Sequence, residues 1–383
     1  MRRLVTGLLL AAALAGTAAA AQPARVLAVE WEAGGGKMRW VSPTTLRPAG
    51  PAVLNVGGAP ANLVAVSPDG ALAAIGGGAN GRLRLVRMDG LRPGGLMWLG
   101  EGSVLKGIWA SPERLVVLLG GMHAEVIAVD PAARTVIHRE KLQGLALGAV
   151  RAGDRLLTLL APSGRVGPAR LAVIDADGTV RTTALRTIEA GFGRPAMPGR
   201  AGRQASPGLA TDGTRAFVLG VDRLVEVDLD SLAVRSERIV TRTTTRETKL
   251  VHGWGRSAVW LRGDTVAYSG WTSSDAVPPA ATGVFLLDVA TGEARMLDRW
   301  ATDTTRAGRT LLVYGRDELR GYRLDGSRRF TLLAGTDTGY VQVAGHHAYV
   351  GSHNSTRFTI VDVEQARVVG RARTAKPTVL LAP

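Results

Sequence analysis

Apolar and polar positions alternate with a period of two through most of the chain, and no stretch sustains the 3.6-residue period of a helix. Within that alternation one phrase recurs: three or four β-type residues, an Asp, then a turn. It reads LRLVRMDG ending at Gly90, EVIAVDPA at Ala132, LAVIDADG at Gly178 and LVEVDLDS at Ser231. It returns as VFLLDVATG at Gly292, RGYRLDG at Gly326 and FTIVDVEQ at Gln365. The Asp residues stand at 89, 130, 175, 228, 288, 325 and 362, spaced 37 to 60 residues apart, and self-similarity in that range marks a radial or solenoid array.

Each phrase is preceded by a second apolar run opened by turn residues, such as Pro68-Asp69-Gly70 before ALAAIGGG and Gly263-Asp264 before TVAYSGW. Gly and Asp between β-rich runs are the signal of a hairpin. A small, apolar run comes before these two and a more charged run after them, which makes four strands per unit. The first suits a channel-side position and the fourth a solvated rim. Units of this size are propeller blades. Second strands are expected to begin near Arg25, Ala71, Arg114, Arg155, Arg215, Thr265, Thr310 and His347, so the expected fold is all-β: a single propeller of eight four-stranded blades, or seven if one weak unit is split wrongly. The first unit lacks an inner strand, and the chain ends in an orphan apolar run, TVLLAP. Pairing the two would close the ring and remove an open sheet edge. An Asp at the first position of a turn accepts hydrogen bonds from its own backbone, so the seven Asp residues are assigned to the fold rather than to calcium.

The turn Ser67-Pro68-Asp69-Gly70 followed by an apolar strand resembles the secreted bacterial propellers of the YVTN and WD40-like families. The phrase LLDVATGEA, 286–294, resembles the pyrroloquinoline-quinone-type repeat. There a Trp four residues after the Thr-Gly pair docks the next blade, and here that place is held by Met296. The resemblance therefore implies blade architecture and no cofactor. The unit count also resembles that of the outer-membrane-assembly propeller lipoproteins, whose lipid-anchoring Cys this chain lacks.

The chain opens with Arg2-Arg3, an apolar run over 4–16, and small residues Ala18 and Ala20. This is the pattern of a secretory signal peptide over residues 1–21, ahead of a propeller domain over 22–383. The expected location is secreted or periplasmic, with an uncleaved N-terminal anchor as the alternative and no stable membrane span once the leader is removed. No Cys is present, which excludes disulfides, thiol nucleophiles and thiolate metal sites.

The net charge is +15, carried mostly by Arg. A genome rich in GC, filling solvated positions with Arg, is the plainer account, and a surface for polyanions the functional one. Basic residues gather in the loops 181–203 and 235–249, so Arg194, Arg200, Arg203, Arg242 and Arg246 are the candidate anion-binding set. Aromatic residues are almost absent there, which argues against nucleic acid. The expected partner is another envelope protein or an anionic envelope polymer, bound by a monomer.

Propellers bind ligands where loops between strands two and three meet loops between blades. In those loops stand His123, Trp254, Trp271, Asp275, Arg316, Asp317, His353 and Asn354, the candidate ligand-binding residues, with Trp300, Asp303 and Asp337 between blades. Alternation at the strand start sends one ring of His346-His347 inward and one outward, so the pair is not expected to chelate one ion. No catalytic motif, cofactor or metal site is assigned. The longest departures from the repeat, 188–206, 241–257 and 271–283, are where function is expected to concentrate. The resulting expectation is an exported, non-catalytic binding scaffold. The alternative is a propeller enzyme, a metal-assisted lactonase or lyase or a quinoprotein, acting at the channel mouth.

Overall fold

The structure, a computed structural model, describes residues 25–32, 35–56, 61–77, 80–193, 203–240, 253–273, 280–315, 317–352 and 355–381. The leader expected over 1–21 lies outside them. No helix among the described residues is long and apolar enough to cross a membrane. The fold is a single all-β propeller, built almost wholly of antiparallel pairs. Second strands start at Val26, Leu72, Arg114, Arg155, Arg215, Thr265, Thr310 and His347, within one residue of the positions that turn chemistry marks.

The number of separate blades differs from expectation. Among the described residues there are six four-stranded blades, neither eight nor seven, and one eleven-stranded sheet. That sheet holds two four-strand runs that a short strand, Gln204–Ser206, fuses together. It pairs antiparallel with Val180–Phe192 on one side and parallel with Gly253–Arg262 on the other. The repeat pattern could not show this merger, because the fusing residues lie in the insertions rather than in the repeats.

Ring closure follows the expectation. Thr378–Leu381 supplies the missing inner strand of the first unit, antiparallel to Val26–Glu32, with Leu27 opposite Leu381 and Glu30 opposite Thr378. Core clusters then sit between consecutive units. One of them joins Val26, Ala28 and Val41 of the first unit to Tyr349, Phe358 and Ile360 of the last. Second strands are buried on both faces, as in Arg114–Gly120, where Leu115 through Leu119 are at most 1 % exposed. Fourth strands such as Thr135–Leu142 face water, as their charges require.

Five of the seven recurring Asp residues cap a turn, while Asp175 instead accepts from Arg181 at 3.1 Å and leaves Asp177 Oδ1 to accept from the Thr179 amide at 2.8 Å. Asp130 Oδ1 accepts from the amides of Ala132 and Ala133 at 2.8 Å, Asp288 Oδ1 from Thr291 at 2.9 Å and Asp325 Oδ1 from Ser327 at 2.8 Å. At Asp228 the amide of Ser231 and the Arg235 guanidinium hold the carboxyl well below the usual carboxylate range. Asp89 differs. The left-handed residue that closes each longer turn stands four positions after its first residue, as at Arg134 (φ 57°) and Leu232 (φ 57°). Leu91 (φ 48°) is that residue in its unit, so Arg87 holds the first position. Asp89 falls inside the turn and pairs with Arg92 at 2.6 Å instead.

Much of the Arg excess works between units. Arg84 donates to the Val56 carbonyl at 3.1 Å, Arg139 to that of Leu99 at 2.6 Å, and Arg306 to that of Leu261 at 3.2 Å. Arg155 pairs with Asp230 at 2.7 Å and Arg215 with Asp264 at 2.7 Å, while Arg320 pairs with Asp298. The planar guanidinium reaches two groups at once, which suits it to bridging adjacent sheets.

Candidate functional site

Loops between strands two and three, and connections between units, emerge on the same face of the ring. On this face the described ends of the three insertions form one hydrogen-bonded layer. The end of Val180–Phe192 pairs with Gln204–Ser206, whose residues pair in turn with Gly253, Trp254 and Gly255. Those three pair with Thr265–Ser273 at Ser273, Thr272 and Trp271, and Trp271 and Thr272 pair with Ala281 and Ala280. Gly255 makes this layer possible, since a Cβ there would lie 2.4 Å from Trp271 Nε1.

Below the layer, inner strands bring polar side chains together. Asp303 lies near the start of Ala301–Ala307 and accepts from the Thr304 amide at 2.7 Å and from Ser269 Oγ at 3.3 Å; Tyr314 also hydrogen-bonds to it. Burial raises the Asp303 pKa and outweighs these stabilising bonds. Burial, and then the Asp303 carboxylate, raises that of Tyr314. Burial also pushes Tyr268 up to about 12. In the neighbouring inner strand the buried Arg256 donates to the Val221 carbonyl at 3.4 Å and approaches Thr282 Oγ1 at 3.5 Å. A carboxyl with a raised pKa, hydrogen-bonded to a phenol in a partly desolvated site, is a candidate for ligand binding or proton handling.

A second feature opens on the same face. A cleft of about 510 Å³ runs between the last unit and the connection leading into it, within the size range of small-ligand sites. Its walls include Asp337, Ser352, Ser355, Arg357, Arg371 and Arg373. Arg357 stands opposite Arg373 across two paired strands, and Thr359 opposite Arg371, so period-two alternation puts the three guanidinium-bearing residues on one face. None of the three is in an ion pair among the described residues. Asp337 is engaged by its own turn, accepting from the Gly339 amide at 2.9 Å.

Of the candidate ligand residues, His123 and Asp317 are exposed on their loops. Trp254 is buried at 5 % exposure, and Trp271 is half-buried, its ring against Gly253 and Gly255. Both residues stand on paired strands of the inserted layer. Trp300 is 71 % exposed with Arg299 over its ring at 5.1 Å. Asp275, Arg316, His353 and Asn354 lie outside the described residues, as do Arg194, Arg200, Arg242 and Arg246. Three described members of the basic loops have acidic partners: Arg203 pairs with Glu189 at 2.7 Å, Arg181 with Asp175 at 3.1 Å, and Arg235 with Asp228. The residues that sequence reasoning missed are Arg357, Arg371 and Arg373. The signal for Arg371 and Arg373 was present in the alternation of RVVGRAR, but a polar fourth strand reads as an ordinary solvated edge.

His346 and His347 also depart from expectation. His346 belongs to the turn rather than to the strand, so alternation does not separate the rings, whose centroids lie 4.0 Å apart.

No protein-family model and no curated protein matches the chain in sequence. In structure it is similar to dihydro-heme d1 dehydrogenase NirN in complex with DHE (TM-score 0.59, 11 % identity, 92 % of this chain and 74 % of that one). It is similar also to apo AztD from Citrobacter koseri (TM-score 0.55, 13 % identity, 93 % and 98 %) and to BamB from Moraxella catarrhalis (TM-score 0.51, 13 % identity, 85 % and 92 %). At these identities the likeness is one of fold: the chain is a β-propeller that shares blade architecture with proteins of different names and roles.

Proposed function

We propose that this chain is an exported, non-catalytic propeller that binds an anionic polymer of the cell envelope through the cleft of its last unit. The observation that carries the reading is the set of three guanidiniums, Arg357, Arg371 and Arg373, sharing one cleft with no ion-pair partner among the described residues. Several arginines elsewhere on the ring, among them Arg155, Arg215, Arg306 and Arg320, are matched by carboxylates or by carbonyls of a neighbouring unit. A guanidinium favours bidentate contact with phosphate or carboxylate. Exposed charges of this kind give binding that weakens as salt shortens the Debye length, which is about 10 Å at 0.1 M.

Retention on a heparin-type resin tests this. Arg357→Ser/Arg371→Ser/Arg373→Ser should elute at clearly lower salt than wild type. Arg47→Ser/Arg87→Ser/Arg328→Ser removes the same charge from exposed positions and should elute close to wild type. Equal shifts in the two triple variants would mean that net charge alone retains the protein. Equal elution of the cleft variant and wild type, with anionic ligand still bound, would move the site to the loops holding Arg194, Arg200, Arg242 and Arg246.

A second reading, a propeller enzyme, is favoured by the raised carboxyl of Asp303 and its bond to Tyr314. A lactone panel screened with wild type and Asp303→Asn separates the two readings. Turnover that vanishes in the variant supports the enzyme, and the absence of turnover in wild type leaves the binding scaffold.

A further inference from the structure

We propose that His346, His347 and Asp362 form a binding site for a first-row transition-metal ion, on the face of the last unit opposite the arginine cleft. One ligand atom from each residue lies within 4.8 Å of the others, which makes this a three-residue grouping of metal-ligating side chains among the described residues.

The geometry follows from a hairpin. The turn Gly345-His346 joins Tyr340–Ala344 to His347–Gly351, and Asp362 ends the paired strand Arg357–Asp362 directly opposite His347. The Val363 amide donates to the His346 carbonyl at 2.9 Å, which fixes the turn against the end of that strand. Asp362 is buried and spends one oxygen on its turn, Oδ1 accepting from the Gln365 amide at 2.8 Å. Its other oxygen, Oδ2, is left facing His346 Nε2 at 3.9 Å. Backbone pairing therefore holds two ligands, His347 and Asp362. His346 is the adjustable arm, with 45 % of its side chain exposed.

Two imidazoles and one carboxylate suit zinc, nickel, copper or iron(II) rather than the all-oxygen preferences of magnesium and calcium. With metal–ligand bonds of about 2.0–2.2 Å, tetrahedral donors stand about 3.3 Å apart. Reaching that separation requires a movement of about 1–1.5 Å, within the range of a rotamer adjustment at His346. The exposed side of the cluster leaves room for water or an incoming ligand as the fourth donor, the open arrangement of three-ligand zinc centres.

The test uses the full mature chain without an affinity tag. Zinc(II) titrated by calorimetry and by thermal shift should bind at one site and raise the melting temperature, while magnesium(II) and calcium(II) should not. Cobalt(II) should give the visible absorption of tetrahedral coordination. His346→Ala, at an exposed position where folding is safe, should weaken zinc binding by at least about tenfold. Asp362→Asn keeps the turn acceptor, and should weaken binding while leaving the metal-free melting temperature near that of wild type. The arginine cleft is at the other end of the unit, so His346→Ala should not change retention on the anionic resin. The inference is overturned if no transition ion raises the melting temperature, or if His346→Ala and Asp362→Asn bind zinc as wild type does.

Discussion

Leu381→Ala tests whether the closing strand holds the ring together. Leu380 and Leu381 are each 6 % exposed and point to opposite faces of Thr378–Leu381. Leu381 packs with Leu27, Val29, Met38 and Ile75 of the first two units, and Leu380 with Tyr349, Phe358 and Ile360 of the last. The Leu380 amide also donates to Gln342 Oε1 on the inner strand of the last unit. Truncating one such leucine removes buried methyls and leaves a cavity, a loss of about 2–5 kcal/mol. With about 2 cal/mol/K of unfolding entropy per residue, a ring of this length should lose about 1–2 °C per kcal/mol. Each single variant should therefore melt several degrees below wild type by calorimetry, and Val368→Ala, at a 40 % exposed position, should not. The two leucines feed different clusters but are adjacent on one strand, so the double variant should depart from the sum of the two. Deleting residues 378–383 removes both, along with the whole ladder to Val26–Glu32, and should cost more than the two truncations combined. It would also expose a sheet edge, which should show as association at high protein concentration. If Leu381→Ala melts with Val368→Ala, or if the deletion leaves the transition unchanged, closure by the last strand does not stabilise the ring.

The remaining expectations concern charge. Asp303 has a raised pKa, so its ionisation costs stability, and lowering pH through its folded value should recover what neutral pH withholds. Asp303→Asn should accordingly be more stable than wild type at pH 7 in urea titrations, with the difference gone near pH 3; a destabilised variant at both pH values would refute the assignment. The capping carboxylates have the opposite sign. Asp228, Asp177 and Asp325 are held below their usual 3.8, so their stabilisation is complete above that value and is lost as pH falls through their lowered folded values. Replacing Asp228 with Asn should flatten the acid limb of stability against pH between about pH 4 and pH 2, and an unchanged acid limb would show that the capping charge contributes nothing. Arg215 lies 2.8 Å from Asp212, 3.2 Å from Glu226 and 2.7 Å from Asp264 of the next unit, with 19 % of its side chain exposed. Arg215→Met leaves these carboxylates unpaired and should cost about 2 kcal/mol, discounted from a fully buried network for partial exposure. A change in the urea midpoint equivalent to less than about 0.5 kcal/mol would show that the network is screened.

The local parts of this protein were legible in its residues because the physics that sets them is local. Alternation at period two and turn residues at fixed offsets place the second strands within a residue. An Asp heading a turn acts on amides two and three residues away, as at Asp130 and Asp228. The orphan run at the C-terminus and the missing inner strand of the first unit together specify closure, since both ends would otherwise leave an unpaired edge. What tertiary structure decided involves groups distant in sequence. Gln204–Ser206 fuses two sectors through pairing with Gly253–Gly255, so six four-stranded blades are separate rather than eight. Trp254 reads as a loop aromatic open to ligands, yet the inserted layer buries it. The arginines read as a basic surface until neighbouring units are brought beside them and supply carbonyls and carboxylates. Arg357, Arg371 and Arg373 keep no ion-pair partner among the described residues and share one cleft, which only the pairing of their strands shows. Asp362 joins His346 and His347 only because strand pairing sets it opposite a turn sixteen residues earlier. Hydrogen bonding along the backbone and alternation of side chains are properties of short segments and appear in the sequence. Desolvation and charge pairing depend on which segments meet, and only the closed ring determines that.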